Sequence, residues 1–225
     1  MRRQPASWEN AMQIFGFPLS PFVRKVLVVA EEKGLSVESV LTNPANPSPD
    51  FLAASPMRKI PALKDGDYTL ADSTAIATYM DALRPDPPLL PTDPKRRGKA
   101  IWFEEFADTL LAAAGGKIMF NRFVSPRFLG RPGDEDAARQ GEADLEPLLD
   151  YLESVAPAEG WLTGDEFGIA DIAAASMLRT LAYVDCGVDA ERRPATAAWY
   201  ARVCARPAWQ AVAAREAAVM KSVAG

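Results

Sequence analysis

The sequence predicts an α+β chain: an α/β domain over residues 12–84, then an all-helical bundle over residues 95–225. Three observations predict it. Up to Leu83, short strand-like runs alternate with runs of helical period. Pro85, Pro87, Pro88, Pro91 and Pro94 then crowd residues 85–94, where proline excludes both helix and sheet and marks a linker. Beyond them every apolar stripe has helical spacing, which makes an α/β unit followed by a bundle.

Residues 1–11 are polar and lack periodicity. They read as a loose extension, or as residues upstream of a true start at Met12. Met12–Gly16 reads as a strand. A helix follows over residues 21–33, with Val23, Val26, Leu27 and Ala30 at i, i+3, i+4 and i+7. Gly34 stands just past it, where a left-handed residue closes a helix. Val37–Leu41 is a second strand. After a loop with room for a short helix, residues 61–64 and 68–70 flank Asp65, Gly66 and Asp67 as a hairpin. Ser73–Leu83 closes the domain as a helix.

In the bundle, Trp102, Phe106 and Leu110 form one stripe; Leu145, Leu148, Leu149 and Leu152 form another. Ile169, Ile172 and Ser176, with Met177, Leu181 and Val184, give a third. Residues 195–205 and 208–222 give two more helices, parted at Pro207. Gly115 and Gly116, and residues 126–133, read as breaks in the first long hairpin.

Composition excludes several functions. There is no histidine among 225 residues, so imidazole general bases, histidine metal sites and Ser-His-Asp triads are ruled out. Cys186 and Cys204 have no neighbouring cysteine, so neither a disulfide framework nor a zinc-knuckle spacing is present; free thiols fit a reducing, cytoplasmic compartment. A net charge of −5 with no basic platform speaks against nucleic acid. Apolar runs are too short to span a membrane.

Four motifs are left to carry chemistry. In Leu19-Ser20-Pro21-Phe22-Val23-Arg24-Lys25, Ser20 ends a strand-to-helix turn and Pro21 suits the first helical position. Ser20 reads as an N-cap. A hydroxyl also has a donor to spare, and a helix N-terminus favours an anion at the same spot. A thiol of pKa about 8.5 needs about 2.7 kcal/mol to fall by about two units. A hydrogen bond to a charged group supplies about 1.5–3 kcal/mol, and the helix end about 0.3–1 kcal/mol. Ser20 can therefore hold a thiolate without histidine.

In Ser55-Pro56-Met57-Arg58-Lys59-Ile60-Pro61, a proline opens a strand. With Ile60–Pro61 trans this is an ordinary strand start. With it cis, Ile60 turns its peptide groups outward, where an extended peptide can pair with them. In Leu70-Ala71-Asp72-Ser73, Asp72 or Ser73 caps the next helix. The same free amides can hold a ligand carboxylate, with Ser73 donating to it and Asp72 accepting from an ammonium. In Gly168-Ile169-Ala170-Asp171, Gly168 and Asp171 read as a structural capping box.

Together and in this order, these motifs resemble the cytosolic glutathione transferase superfamily, in its serine-type bacterial form. The resemblance covers nearly all of the chain from Met12 to Val223. It implies a thioredoxin-like first domain and a homodimer with each site near the subunit interface. It implies glutathione as co-substrate and no metal. Ser20 would stabilise the thiolate. Ile60 and Pro61 would meet the cysteinyl backbone, Asp72 and Ser73 the γ-glutamyl group, and Lys59 the glycyl carboxylate. The partner substrate would be a small apolar electrophile or hydroperoxide, in a pocket walled by Phe17, Met119, Phe120 and Phe123; by their own pattern those four read first as core.

Three departures bear on the function. Asp72 is one methylene shorter than the usual Glu or Gln. Gly168 replaces the usual Ser or Thr of the capping box. Ser20 stands where omega-like relatives carry cysteine, so a mixed disulfide through that residue is excluded. The zeta-class Ser-Ser-Cys signature is absent too, which speaks against maleylacetoacetate isomerisation. The alternative function is a non-catalytic binding or regulatory protein on the same fold.

Overall fold

The structure, a computed structural model, describes residues 11–43 and 46–224. The extension read from the sequence lies, for residues 1–10, outside the described residues.

Strands β1 (Met12–Gly16), β2 (Val37–Leu41), β3 (Ala62–Asp65) and β4 (Tyr68–Ala71) form one sheet in the order β2-β1-β3-β4. β1 runs parallel to β2 and antiparallel to β3, and β3 pairs antiparallel with β4. Side chains on a strand alternate between faces, and the core divides accordingly. Ile14 and Leu63 pack under α1 (Pro21–Glu32) and α3 (Ser73–Leu83); Phe15 and Ala62 pack with Phe51 and Ala54 of α2 (Pro49–Ala54) on the other face. Gly34 ends α1 at φ +58° and Gly66 turns the hairpin at φ +58°, both left-handed values that glycine adopts without a steric cost.

After the proline-rich segment one long helical rod runs from Pro94 to Phe128: α4 (Pro94–Glu105), a π-helical turn (Phe106–Leu111), α5 (Ala112–Met119), a second π-helical turn (Phe120–Val124) and α6 (Ser125–Phe128). Helices α7 (Glu135–Val155), α8 (Ile169–Leu181), α9 (Pro194–Cys204) and α10 (Pro207–Ala224) complete the bundle. No described helix is long and apolar enough to cross a membrane.

Two expectations are corrected. Gly115 and Gly116 do not break the helix. A Cβ on Gly115 would lie 2.9 Å from a methyl of Leu181, so glycine there lets α8 pack close. The Trp102, Phe106 and Leu110 stripe is not one buried face. Phe103, Phe106, Ala107 and Leu111 are buried, while Trp102 and Leu110 stay 47% and 43% exposed. Trp102 precedes the π turn, which bears only on Leu110: the wider turn carries it off the face that buries Phe106.

Gly168 has a clear physical role. A Cβ at this position would lie 2.6 Å from the carbonyl oxygen of Leu89, which accepts from the Ile169 amide at 3.0 Å. The chain passes too close for serine or threonine. The carboxylate of Asp171 accepts from the amides of Gly168 (3.2 Å) and Leu162 (3.0 Å) and from the Trp199 indole (2.8 Å).

Helix α1 joins the two halves through buried charge. Arg24 and Lys25 are 1% and 0% exposed in an otherwise apolar run. Arg24 turns towards α8 and α10, Lys25 towards α3 and the rod. Unpaired buried charge is prohibitive, so each needs a fixed anionic partner. Arg24 finds it in Glu216, and Lys25 in Glu104 and Asp108.

Candidate functional site

Ser20 is the N-cap residue of α1, with extended dihedrals of φ −65° and ψ 130°. Its amide donates to the Phe17 carbonyl at 2.9 Å, closing the turn out of β1, and its own carbonyl accepts from the Arg24 amide at 2.9 Å. Its hydroxyl makes no capping hydrogen bond, so Ser20 holds the N-cap position that the sequence predicts without the side-chain bond. The half-buried hydroxyl keeps both its donor and its acceptors. The amides of Phe22 and Val23 lie in the helix's first turn, which has no intrahelical acceptor for them.

The segment before β3 is pinned by Ser55. Its buried hydroxyl accepts from the Lys59 amide at 3.0 Å and donates to the Lys59 carbonyl at 2.8 Å. Both peptide groups of Lys59 are thereby fixed, and Ile60–Pro61 follows as a cis peptide bond. β3 begins only at Ala62, which leaves Ile60 outside the ladder.

Asp72 sits at φ 80°, in the left-handed region that L side chains rarely adopt. Such geometry costs on the order of 1–3 kcal/mol and concentrates at functional sites. Its Oδ1 accepts from the amides of Thr74 (2.9 Å) and Ala75 (3.1 Å), which caps α3 and offsets the cost. Ser73 behind it is buried.

These pieces face one another. Lys59, Ile60, Pro61, Asp72 and Ser73 line a cleft of about 640 Å³, together with Phe22 from α1 and with Glu105, Asp108 and Thr109 from the rod. Ser20 itself is not among the lining residues; Phe22, two positions on, is. Lys59 and Asp72 are exposed at the rim.

Sequence reasoning missed Asp108 and the ammonium that holds it. Lys25 Nζ donates to Asp108 Oδ2, to Glu104 Oε1 at 3.0 Å and to Thr74 Oγ1 at 3.2 Å. The hydroxyls of Ser73 and Thr74 lie 3.5 Å from the same Asp108 oxygen. Burial pushes the Asp108 carboxyl above the usual carboxylate range, against the pull of Lys25; Glu104 and Asp72 add to the rise. A signal was available. Arg24 and Lys25 interrupt an apolar run, and Glu104 and Asp108 are spaced i, i+4 on one helix face.

A second, apolar cavity of about 150 Å³ lies between α1 and the bundle, lined by Pro21, Phe22, Leu111, Gly115, Met119 and Thr180 among others. Of the four predicted wall residues only Met119 lines it. Phe17 packs edge-on to Phe128 at 5.5 Å between ring centres. Phe123 is buried against Phe128 and Tyr183. Phe120 is 50% exposed.

A mixed four-stranded sheet with α1 and α3 on one face, a cis-proline before β3 and a helical domain behind defines a thioredoxin-like protein with a fused bundle. Comparison with known proteins narrows this. Residues 14–88 match the family described as the glutathione S-transferase N-terminal domain, and residues 111–207 match the glutathione S-transferase C-terminal domain. Glutathione S-transferase 3 of Zea mays is 34% identical over 88% of this chain and 91% of its own. The glutathione S-transferase of Sinorhizobium meliloti superposes with a TM-score of 0.84 at 25% identity, over 91% of this chain and 93% of that one. A glutathione S-transferase-I solved with lactoylglutathione gives a TM-score of 0.80 at 26% identity, over 91% and 99%. The chain belongs to the glutathione S-transferase family and is an enzyme of that class.

Proposed function

We propose that this chain binds glutathione in the cleft of about 640 Å³ and stabilises its thiolate at Ser20 for attack on a small apolar electrophile or a hydroperoxide. The observation that carries this reading is the Ser20 hydroxyl. It stands at the start of α1, beside amides with no intrahelical acceptor, and makes no capping bond. A sulfur anion placed there meets a hydroxyl donor and the positive end of a helix dipole. Proximity and preorganised donors then supply the rate.

The remaining contacts follow from the cleft's lining. Ile60 offers peptide groups outside the ladder to the cysteinyl backbone. The amides of Thr74 and Ala75 are taken by Asp72, so the γ-glutamyl carboxylate falls to Ser73, and Asp72 and Asp108 flank its ammonium. Exposed Lys59 meets the glycyl carboxylate. The apolar cavity beside Pro21 and Met119 takes the electrophile. We infer a homodimer as well, supported by the large apolar side chains left exposed, Tyr68, Trp102 and Leu110 among them; sedimentation velocity tests it. A cytoplasmic setting accords with the free Cys186 and Cys204.

The test pairs calorimetry with kinetics. Glutathione should bind the wild-type chain, and a chloronitrobenzene should be conjugated. Ser20→Ala should lose about 10- to 150-fold in kcat/KM near neutral pH, the worth of one hydrogen bond to a charged group. Conjugation unchanged by Ser20→Ala would remove Ser20 from the chemistry. No heat with millimolar glutathione would favour the non-catalytic reading.

A further inference from the structure

The peptide that carries Ser20 is held from the other domain. The carbonyl oxygen of Leu19, the residue before Ser20, lies 3.3 Å from Arg24 Nη2 and 3.4 Å from Thr180 Oγ1. Arg24 Nη1 donates to Thr180 Oγ1 at 2.7 Å and to the Ser176 carbonyl at 2.6 Å, so Thr180 accepts from the guanidinium and donates its single hydrogen onward. The Ser176 carbonyl, 3.1 Å from Thr180 Oγ1, competes with Leu19 for that hydrogen. Arg24 Nε donates to Glu216 in α10. The other Glu216 oxygen accepts from Tyr183 Oη at 2.9 Å and lies 3.5 Å from Arg179 Nε. Arg24 and Glu216 are each 1% exposed.

A buried ion pair is a weak staple, since apolar side chains of the same volume serve as well or better. What a guanidinium does that leucine cannot is direct donors along fixed lines. Here one of those lines ends on the carbonyl next to Ser20. A peptide unit is planar, so fixing the Leu19 carbonyl fixes the plane of the Leu19–Ser20 amide and with it the Ser20 Cα. The hydroxyl has no cap bond of its own to orient it. Thr180 also lines the apolar cavity, which places the same residue beside both the Ser20 peptide and the space for a second substrate.

We propose that Arg24 and Thr180 are positioning residues for Ser20: they hold the Leu19 carbonyl, Glu216 holds Arg24, and the helical domain thereby sets thiolate stabilisation in the thioredoxin-like domain. The inference rests on the reading of Ser20 as the thiolate's donor. It assigns to α8 and α10 a role in the chemistry that neither helix performs by touching glutathione.

The test is a pH titration of the glutathione complex, without electrophile, followed by the ultraviolet absorbance of the thiolate. Thr180→Val keeps the shape and removes the hydroxyl. It should lower the thiol's ionisation constant about three- to tenfold, the worth of one displaced hydrogen bond, with glutathione affinity held. Thr180→Ser should restore the wild-type value. Tyr183→Phe, which strips one donor from Glu216 and leaves the ring in place, should move the constant in the same direction. Thermal melts check that each variant is folded. If Ser20→Ala lowers the constant while Thr180→Val and Tyr183→Phe titrate as wild type, this proposal falls and the Ser20 reading stands. If Ser20→Ala also titrates as wild type, both fall.

Discussion

Nζ of Lys25, midway along α1, lies 3.0 Å from Oε1 of Glu104 in the rod, with both side chains 1% exposed. The contact crosses from one domain to the other beside the floor of the cleft. It makes the site a property of the interface and not of the sheet alone.

Lys25→Met should therefore destabilise the fold by about 3–5 kcal/mol, because Glu104 and Asp108 would be left buried without their cation. Urea denaturation should show the loss as a lower midpoint with an unchanged slope. A loss under 1 kcal/mol, roughly the worth of an exposed pair, would show that these charges are solvated in solution.

Asp108→Asn bears on glutathione directly. If the carboxylate flanks the ammonium, the neutral amide should raise KM for glutathione by about tenfold or more, the cost of one charge-assisted hydrogen bond. The pH dependence has a definite sign. Burial raises the folded-state pKa of this carboxyl, so acidification neutralises it before an ordinary aspartate, and KM should climb on the acid side of neutrality. The substituted amide has no such proton to take up, so the variant's acid limb should flatten. The same raised pKa means the folded state takes the proton first; protonation of Asp108 favours folding at low pH, and that contribution is lost as pH rises through the folded pKa.

Gly168→Ser offers a choice between local preference and packing. Serine is the better N-cap by propensity. Its Cβ, however, would stand 2.6 Å from a backbone oxygen that cannot move cheaply. We expect a net loss of about 1–3 kcal/mol, the range for an overpacked site. A thermal melt decides it; a higher Tm would mean that the linker backbone at Leu89 yields.

Thiol chemistry should be confined to the substrate. Burial, then the nearby Glu142 carboxylate, pushes the Cys186 thiol up to about 11, and burial raises Cys204 as well. At pH 8 only about 0.1% of Cys186 is thiolate. Alkylation by iodoacetamide at pH 8 should be slow in the native chain, which keeps its conjugating activity through the treatment, and fast in denaturant. Rapid native-state labelling would show that Cys186 is more open than the fold implies.

Local signals in the chain specified a good deal. Short strand-like runs alternating with helical ones located β1, β2, α1 and α3, with the i, i+3, i+4, i+7 spacing marking α1. The missing histidines excluded whole classes of chemistry with no structure at all. Ser20, Ile60–Pro61 and Asp72–Ser73 were legible as chemical groups because each sits at a helix start or a proline, where short-range rules act. Tertiary structure alone decided the rest. It set the cis geometry of Ile60–Pro61, the uncommitted hydroxyl of Ser20 and the close approach at Gly168. It also paired Lys25 with Glu104 across 79 positions and Arg24 with Glu216 across 192. Those outcomes depend on which distant atoms share a buried, low-dielectric space, and no local repeat in a sequence encodes that distance.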